Sequence, residues 1–329
     1  MKKICLASFF SVFVAFSLPA FGFQPPEEML NAVVKIHSII PKEAHTASSL
    51  GTEREGNGVV IDTKGHILTT GYLIAEAETI EVMGPDGKAI PATFVGYDHN
   101  TGFGLLQATQ PMGIEPLKLG ESSKVKEGDP VLVAGYGGVD FVTAARVVSR
   151  KQFTGYWEYI LEDAIYTSPP HPNFGGTALI GRDGRLLGIG SLFTQLAIPE
   201  IGLLPCNVFI PIDLLQPILH DLITKGRSSK APRPWLGINS DESHERVFVN
   251  RLTTGGPAEK AGLQPGDLIL TVKGAAVNGL ADFYRKVWAL GNAGVDVPLS
   301  ILRETRIRDL TIRSADRYQF LQLKPKKII

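Results

Sequence analysis

The 329 residues carry 33 basic and 33 acidic side chains, a balance that argues against nucleic acid as the main partner. The length admits two or three packed units. The two cysteines are Cys5 and Cys206; Cys5 lies in a segment read below as removed, so no intramolecular disulfide is expected, and Cys206 reads as a small buried hydrophobe.

The chain opens with Lys2-Lys3, an apolar run from Ile4 to Leu18, and Pro19-Ala20-Phe21-Gly22. Small residues at 20 and 22 and a run too short for a comfortable span read as a signal peptide over residues 1–22, cut after Gly22, rather than a membrane anchor. Losing Lys2 and Lys3 keeps the mature chain close to neutral. Residues 23–31 form a lead-in with a short helix through Glu27–Leu30, and residues 32–37 are β-branched and read as a strand. Residues 40–55 have no period and read as a mobile loop. Short strands follow at 58–61 and 66–69 around the turn Asp62–Gly65, then at 79–83, 89–96 and 103–108. The style repeats at 130–135, 141–149, 159–166, 177–180, 186–193 and 208–210. Two closed antiparallel barrels of six strands each account for this spacing, because closure leaves no long exposed edges. Residues 212–224 place Ile212, Leu215, Ile218, Leu219, Leu222 and Ile223 at helical spacing and predict a closing amphipathic helix.

Residues 226–234 are a linker by composition. A smaller unit follows over 235–329. Trp235-Leu236-Gly237-Ile238 opens it, strands are predicted at 247–249, 297–303 and 309–313, and a helix at 280–290. The tail Lys324-Pro325-Lys326-Lys327 reads as a solvated end.

Pro172-Asn173-Phe174-Gly175-Gly176 has the frame of the Gly-Asn-Ser-Gly-Gly loop that carries the nucleophile in trypsin-like serine proteases. With Gly56–Ile61, Ile67–Thr70, Gly188-Ile189, Phe209–Pro211 and the signature Gly256-Pro257-Ala258, Ala261-Gly262-Leu263, Gly266-Asp267, the chain resembles the HtrA family of periplasmic proteases with C-terminal PDZ domains. The resemblance covers nearly all of the mature chain. It implies a mostly β fold: a trypsin-like double six-stranded barrel over 23–225, then the linker, then an α+β PDZ domain.

Carried over position by position, the resemblance puts Tyr72 where the family has its histidine, Gly102 at its aspartate and Phe174 at its serine. Pro172 falls on a glycine whose amide donates to the oxyanion, and proline has no N–H. Asp98 matches a surface aspartate instead. Neither a phenyl ring nor a phenol titrating near 10 serves as nucleophile or base at neutral pH. The expectation is a pseudoprotease rather than an enzyme, with Tyr72 and Phe174 filling the cleft. The resemblance also implies that amides near Leu236, Gly237 and Ile238 hold the terminal carboxylate of a polypeptide added as a strand. The alternative is catalysis by displaced residues: Ser168 and His171, with Asp98 or Asp163. Against it, His171 reads as a solvated loop histidine.

His37, His45, His66, His99, His220 and His244 show no metal-ligand spacing, and no cofactor motif is present. The expected partners are polypeptide C-termini and, through residues 23–31, copies or relatives in a homotrimer or mixed oligomer. The expected compartment is a periplasm.

Overall fold

A computed structural model describes residues 27–199, 202–321 and 323. The signal peptide read at 1–22, Phe23 and the basic tail at 324–327 lie outside the described residues.

Strands β1 (Val33–Ile39), β2 (Glu53–Val60), β3 (His66–Thr70), β4 (Thr79–Met83), β5 (Ala89–Tyr97) and β6 (Phe103–Ala108) close an antiparallel barrel in the order β1-β2-β3-β6-β5-β4. Strands β7 (Pro130–Ala134), β8 (Val142–Gly155), β9 (Tyr159–Ser168), β10 (Ala178–Ile180), β11 (Leu186–Ile198) and β12 (Gly202–Pro211) close a second barrel with the same topology, β10-β11-β12-β9-β8-β7. The two barrels bear out the expectation from strand spacing. Inward residues such as Ile36, Ile67 and Leu106 fill the first and Val133, Ile165 and Phe209 the second. A third cluster, with Leu68, Phe103 and Leu105 from one barrel and Tyr159, Ile189 and Ile210 from the other, cements them face to face.

Several strands outrun their apolar stretches. β8 and β9 leave the barrel as a two-stranded ribbon that ends at the pair Gly155 and Tyr159. Its polar stretch, Arg150 to Gln152, lies beyond the strand expected at 141–149, and no hydrophobic pattern marked it. Residues 40–55 are not an open excursion. Arg54, buried, donates to the carbonyls of Tyr72 (2.7 Å) and Ala75 (3.0 Å) and to Thr46 Oγ1 (2.8 Å), while Glu76 accepts from the amide and hydroxyl of Thr46 (2.7 Å each). A buried guanidinium must have its donors satisfied, and these carbonyls supply the acceptors.

The closing helix spans Gln216–Lys225 after a single 3₁₀ turn at Ile212–Leu214, with Pro217 in its first turn, where the missing N–H costs nothing. Gly226 ends it in the left-handed conformation, and its carbonyl accepts from Tyr97 N.

The smaller unit is a sheet of β13 (Ile238–Ser243), β14 (Arg246–Leu252), β15 (Leu268–Val272), β16 (Ala275–Ala276), β17 (Asp296–Arg303) and β18 (Arg306–Arg313), ordered β13-β14-β15-β17-β18 with β16 on β15. The helix Leu280–Trp288 buries Leu280, Phe283, Tyr284 and Val287, one face at helical spacing, against that sheet. Asp267, fully buried, takes Arg303 in a bidentate pair at 2.6 and 2.7 Å. Beyond β18, the turn of helix Arg317–Phe320 returns to the first barrel, where Tyr318 Oη accepts from His99 N at 3.0 Å. The expected linker is packed as well: Arg227 pairs with Asp316 at 3.0 Å, and Arg233 lies over the Trp288 ring.

Candidate functional site

The first candidate region is the cleft between the barrels. β3 ends in a helical turn, Gly71–Ile74, which aims Tyr72 across the cleft, and its hydroxyl donates to Ser191 O on β11 at 3.0 Å. Burial pushes that phenol up to about 12, so it stays protonated. Gly102 backs the same turn: its carbonyl accepts from Gly71 N at 2.8 Å, and its own N–H donates to Asp98 O at 2.7 Å. Its φ is +88°, and a side chain there would start 3.1 Å from the Tyr159 hydroxyl. Phe174 is half-buried, and its carbonyl accepts from Thr177 N and Thr177 Oγ1. A Cβ on neighbouring Gly175 would lie 2.6 Å from the Tyr72 hydroxyl. Thus positions 72, 102 and 174 gather where the barrels meet.

Asn57, part of the Gly56–Ile61 run that carries the resemblance but given no role of its own there, organises this region. It is 5% exposed. Its Nδ2 donates to Asn173 O (2.9 Å) and Gly175 O (3.0 Å), and its Oδ1 accepts from Tyr136 N (2.8 Å). One amide therefore ties β2 of the first barrel to two loops of the second. Its place in Gly56-Asn57-Gly58 was the available signal: a polar residue between glycines on a strand.

The residues of the displaced-catalysis alternative are not assembled. Ser168 Oγ donates to Pro205 O at 2.9 Å. His171 is buried, not solvated as expected: its Nδ1 accepts from Asn173 N at 3.1 Å, and its Nε2 reaches Phe141 O at 3.2 Å. Burial holds its pKa below the ordinary imidazole value, against the two hydrogen bonds. Asp163 pairs with Arg150. Asp98, expected on the surface, is buried, and accepts from Thr101 N (2.8 Å) and the Tyr318 hydroxyl (3.4 Å). The returning C-terminal helix covers it. Cys206 is buried as expected, and burial pushes its thiol up to about 11.

The second candidate region is the loop 235–238. The amides of Leu236, Gly237 and Ile238 do converge on a carboxylate, as the resemblance implies for a peptide terminus. The carboxylate is Glu158, from the turn between β8 and β9. Leu236 N lies 2.9 Å from Oε2, Gly237 N 2.7 Å from Oε1 and Ile238 N 3.0 Å from Oε1. Glu158 is 8% exposed. Burial raises its pKa, opposed chiefly by the amides of Ile238 and Leu236 and by Arg317. Around it lies a cleft lined by His99, Arg233, Trp288, Arg317 and Tyr318. Among the described residues, no group of three or more His, Cys, Asp or Glu side chains could hold a metal, and no helix is long and apolar enough to cross a membrane.

Residues 56–189 match the family described as a trypsin-like peptidase domain, and residues 234–313 the family described as a PDZ domain. A probable periplasmic serine endoprotease, DegP-like, of Pseudomonas fulva is 30% identical over 295 residues, covering 83% of this chain and 59% of the relative. A probable periplasmic serine protease, do/HhoA-like, of Haemophilus influenzae is 28% identical over 278 residues, covering 78% and 57%. The chain thus spans little more than half the length of the curated relatives it matches. Two solved structures share the fold: the HtrA-type protease AlgW with decapeptide (TM-score 0.51, 23% identity, covering 88% of this chain and 96% of that one) and the serine endoprotease from Yersinia pestis (0.51, 24%, covering 89% and 99%). These names correct one expectation. The chain is expected to stand outside the enzymes, whereas the relatives it matches are named a serine protease and a serine endoprotease.

Proposed function

We propose, from the premise that this chain is an HtrA/DegP homologue built of a trypsin-like peptidase domain and a PDZ domain, that it binds polypeptides in the periplasm by their C-termini or unfolded segments and serves as a chaperone-like or regulatory scaffold. The observation that carries this reading is the convergence of three consecutive amides, 236 to 238, on one carboxylate. A terminal carboxylate has the same acceptor geometry, and the adjoining β13 offers its edge to an added strand. In the inter-barrel cleft, Tyr72 and Gly102 serve packing, Tyr72 spanning the barrels to Ser191 and Gly102 supporting its turn, while Phe174 holds its loop through its carbonyl. The relatives' periplasmic names support the compartment, with residues 1–22 as export signal. Residues 23–31 carry the contact of a homotrimer or mixed oligomer, which light scattering of the mature chain reads directly.

A second reading has one observation in its favour, the relatives' naming as serine endoproteases. It makes the chain an endopeptidase whose nucleophile is displaced. One experiment separates the two. Residues 23–329 are titrated with a labelled peptide ending in a free-carboxylate valine and with its amidated twin, and incubated with unfolded casein beside Ser168→Ala. Carboxylate-dependent binding without fragments supports the binding reading. Equal binding of both peptides refutes it, and fragments that vanish in Ser168→Ala install the second.

A further inference from the structure

We infer that the turn Tyr156–Glu158 is a built-in competitor for the peptide groove, a side-chain carboxylate standing in for a polypeptide C-terminus, which a true C-terminus must displace. This deepens the proposed peptide-binding function and rests on it.

The mimicry extends past the carboxylate. Ser240 N, two residues beyond Ile238 on β13, donates to Tyr156 O at 2.9 Å. An extended peptide whose terminal carboxylate sits on the amides of 236–238 pairs with the strand edge through a main-chain carbonyl two residues before its end. Tyr156 and Glu158 have that same spacing. Terminus and strand contact are thus both imitated by one turn, and every amide that would read a terminus is already used. Ile160, the second residue of β9, joins the hydrophobic cluster of the PDZ unit, and Arg317 Nη1 donates to Trp157 O at 3.4 Å, holding the turn from the other side.

Two features mark the contact as displaceable. Glu158 adopts a φ of +59°, a left-handed backbone that a non-glycine residue holds only under constraint. Its carboxylate also gives up hydration on entering the groove, so docking returns less than three charge-assisted bonds would otherwise contribute. A free C-terminus brings the same carboxylate together with an apolar last side chain, which Glu158 lacks. The tethered turn, however, acts at a high effective concentration. The apparent affinity for an external terminus is therefore reduced by the fraction of molecules in which the turn is docked.

The test uses residues 23–329 and fluorescence anisotropy with a labelled decapeptide ending in a free-carboxylate valine, beside its amidated twin. Glu158→Ala is expected to tighten binding of the free-carboxylate peptide by about tenfold or more, and leave the amidated one weak. Glu158→Gln, the isosteric variant, guards against misfolding and should tighten it by a smaller factor. Amide hydrogen exchange at 236–240, without peptide, should quicken in both variants. Equal affinity in wild type and folded variants overturns the competition and leaves peptide binding intact. Quickened exchange with no peptide uptake in any form overturns the peptide-binding reading, and the competition falls with it.

Discussion

Replacing Asn57 by alanine should loosen the joint between the barrels, and its cost follows from three bonds. The side chain, itself 5% exposed, donates to Asn173 O and Gly175 O and accepts from Tyr136 N, at 2.8 to 3.0 Å. Alanine leaves the Tyr136 N–H without its acceptor and takes one donor each from Asn173 O and Gly175 O, of which Gly175 O keeps the Asn57 backbone N–H at 2.8 Å. At about 1 kcal/mol for each lost bond, the loss is about 3 kcal/mol. For a unit of this size that corresponds to a melting temperature lower by about 6–12 °C. Calorimetry and urea titration read the loss, and hydrogen exchange should show residues 172–176 opening first. Asn57→Asp keeps the acceptor for Tyr136 but sets a carboxylate oxygen against two carbonyl oxygens, so it should be no milder. A loss below about 1 kcal/mol in Asn57→Ala would refute the reasoning and show that the loop is held by other contacts.

Three further outcomes follow from the same geometry. His99 is half-buried between the rings of Tyr97 and Tyr318 with both ring nitrogens shielded and neither hydrogen-bonded, and that desolvation, then Arg317, keep its pKa well below the ordinary value near 6.5. The unfolded chain takes up a proton there as pH falls below about 6.5 while the folded chain does not, so stability drops from pH 7 to 5, and His99→Phe should flatten that drop in thermal melts. Gly102→Asp should cost about 1–2 kcal/mol because φ there is +88° and the new side chain meets the Tyr159 hydroxyl; an unchanged urea midpoint would contradict this. Cys206, buried with its thiol pushed up to about 11, should resist iodoacetamide in the native protein at pH 8 and react in urea, as mass spectrometry would show.

The barrels were legible because closed antiparallel sheets are written in short β-branched runs, and each run from Val33 to Ile210 found its strand. What escaped notice lay where local pattern and tertiary environment part. The polar stretch Arg150 to Gln152 of β8 carries the strand past its apolar run before Phe153 packs on the inter-barrel cluster. Arg54, Asp98 and His171 look like surface residues by type and are buried because carbonyls, hydroxyls and amides from distant segments satisfy them. The glycine pattern after Trp235 marked the three amides of 236–238. Nothing marked their acceptor: Glu158 lies 78 residues before Leu236 and sits in a Tyr-Trp-Glu turn that reads as a solvated charge.

The way the barrels meet explains why the frame around the cleft stays recognisable while its side chains vary. Gly176 has a φ of +76°, and a Cβ on it would overlap the Asn57 carbonyl oxygen; a Cβ on Gly190 would overlap the carbonyl of Phe174. Both are close approaches to backbone, the first fixed by the docking of the barrels and the second by the seating of the 172–176 loop on β11, and they leave no side-chain alternative. Phe174 is different: its carbonyl does the structural work, through Thr177, while its half-buried ring lies outside the main hydrophobic clusters. Phe174→Ser should therefore change stability by less than about 1 kcal/mol, whereas Gly176→Ala should cost about 3 kcal/mol or leave the chain unable to fold. Parallel urea titrations of the two variants decide it. A Phe174→Ser chain as damaged as Gly176→Ala would mean that the ring, and not the backbone, holds the loop. The cleft's residue types would then be dictated by packing rather than left free by it.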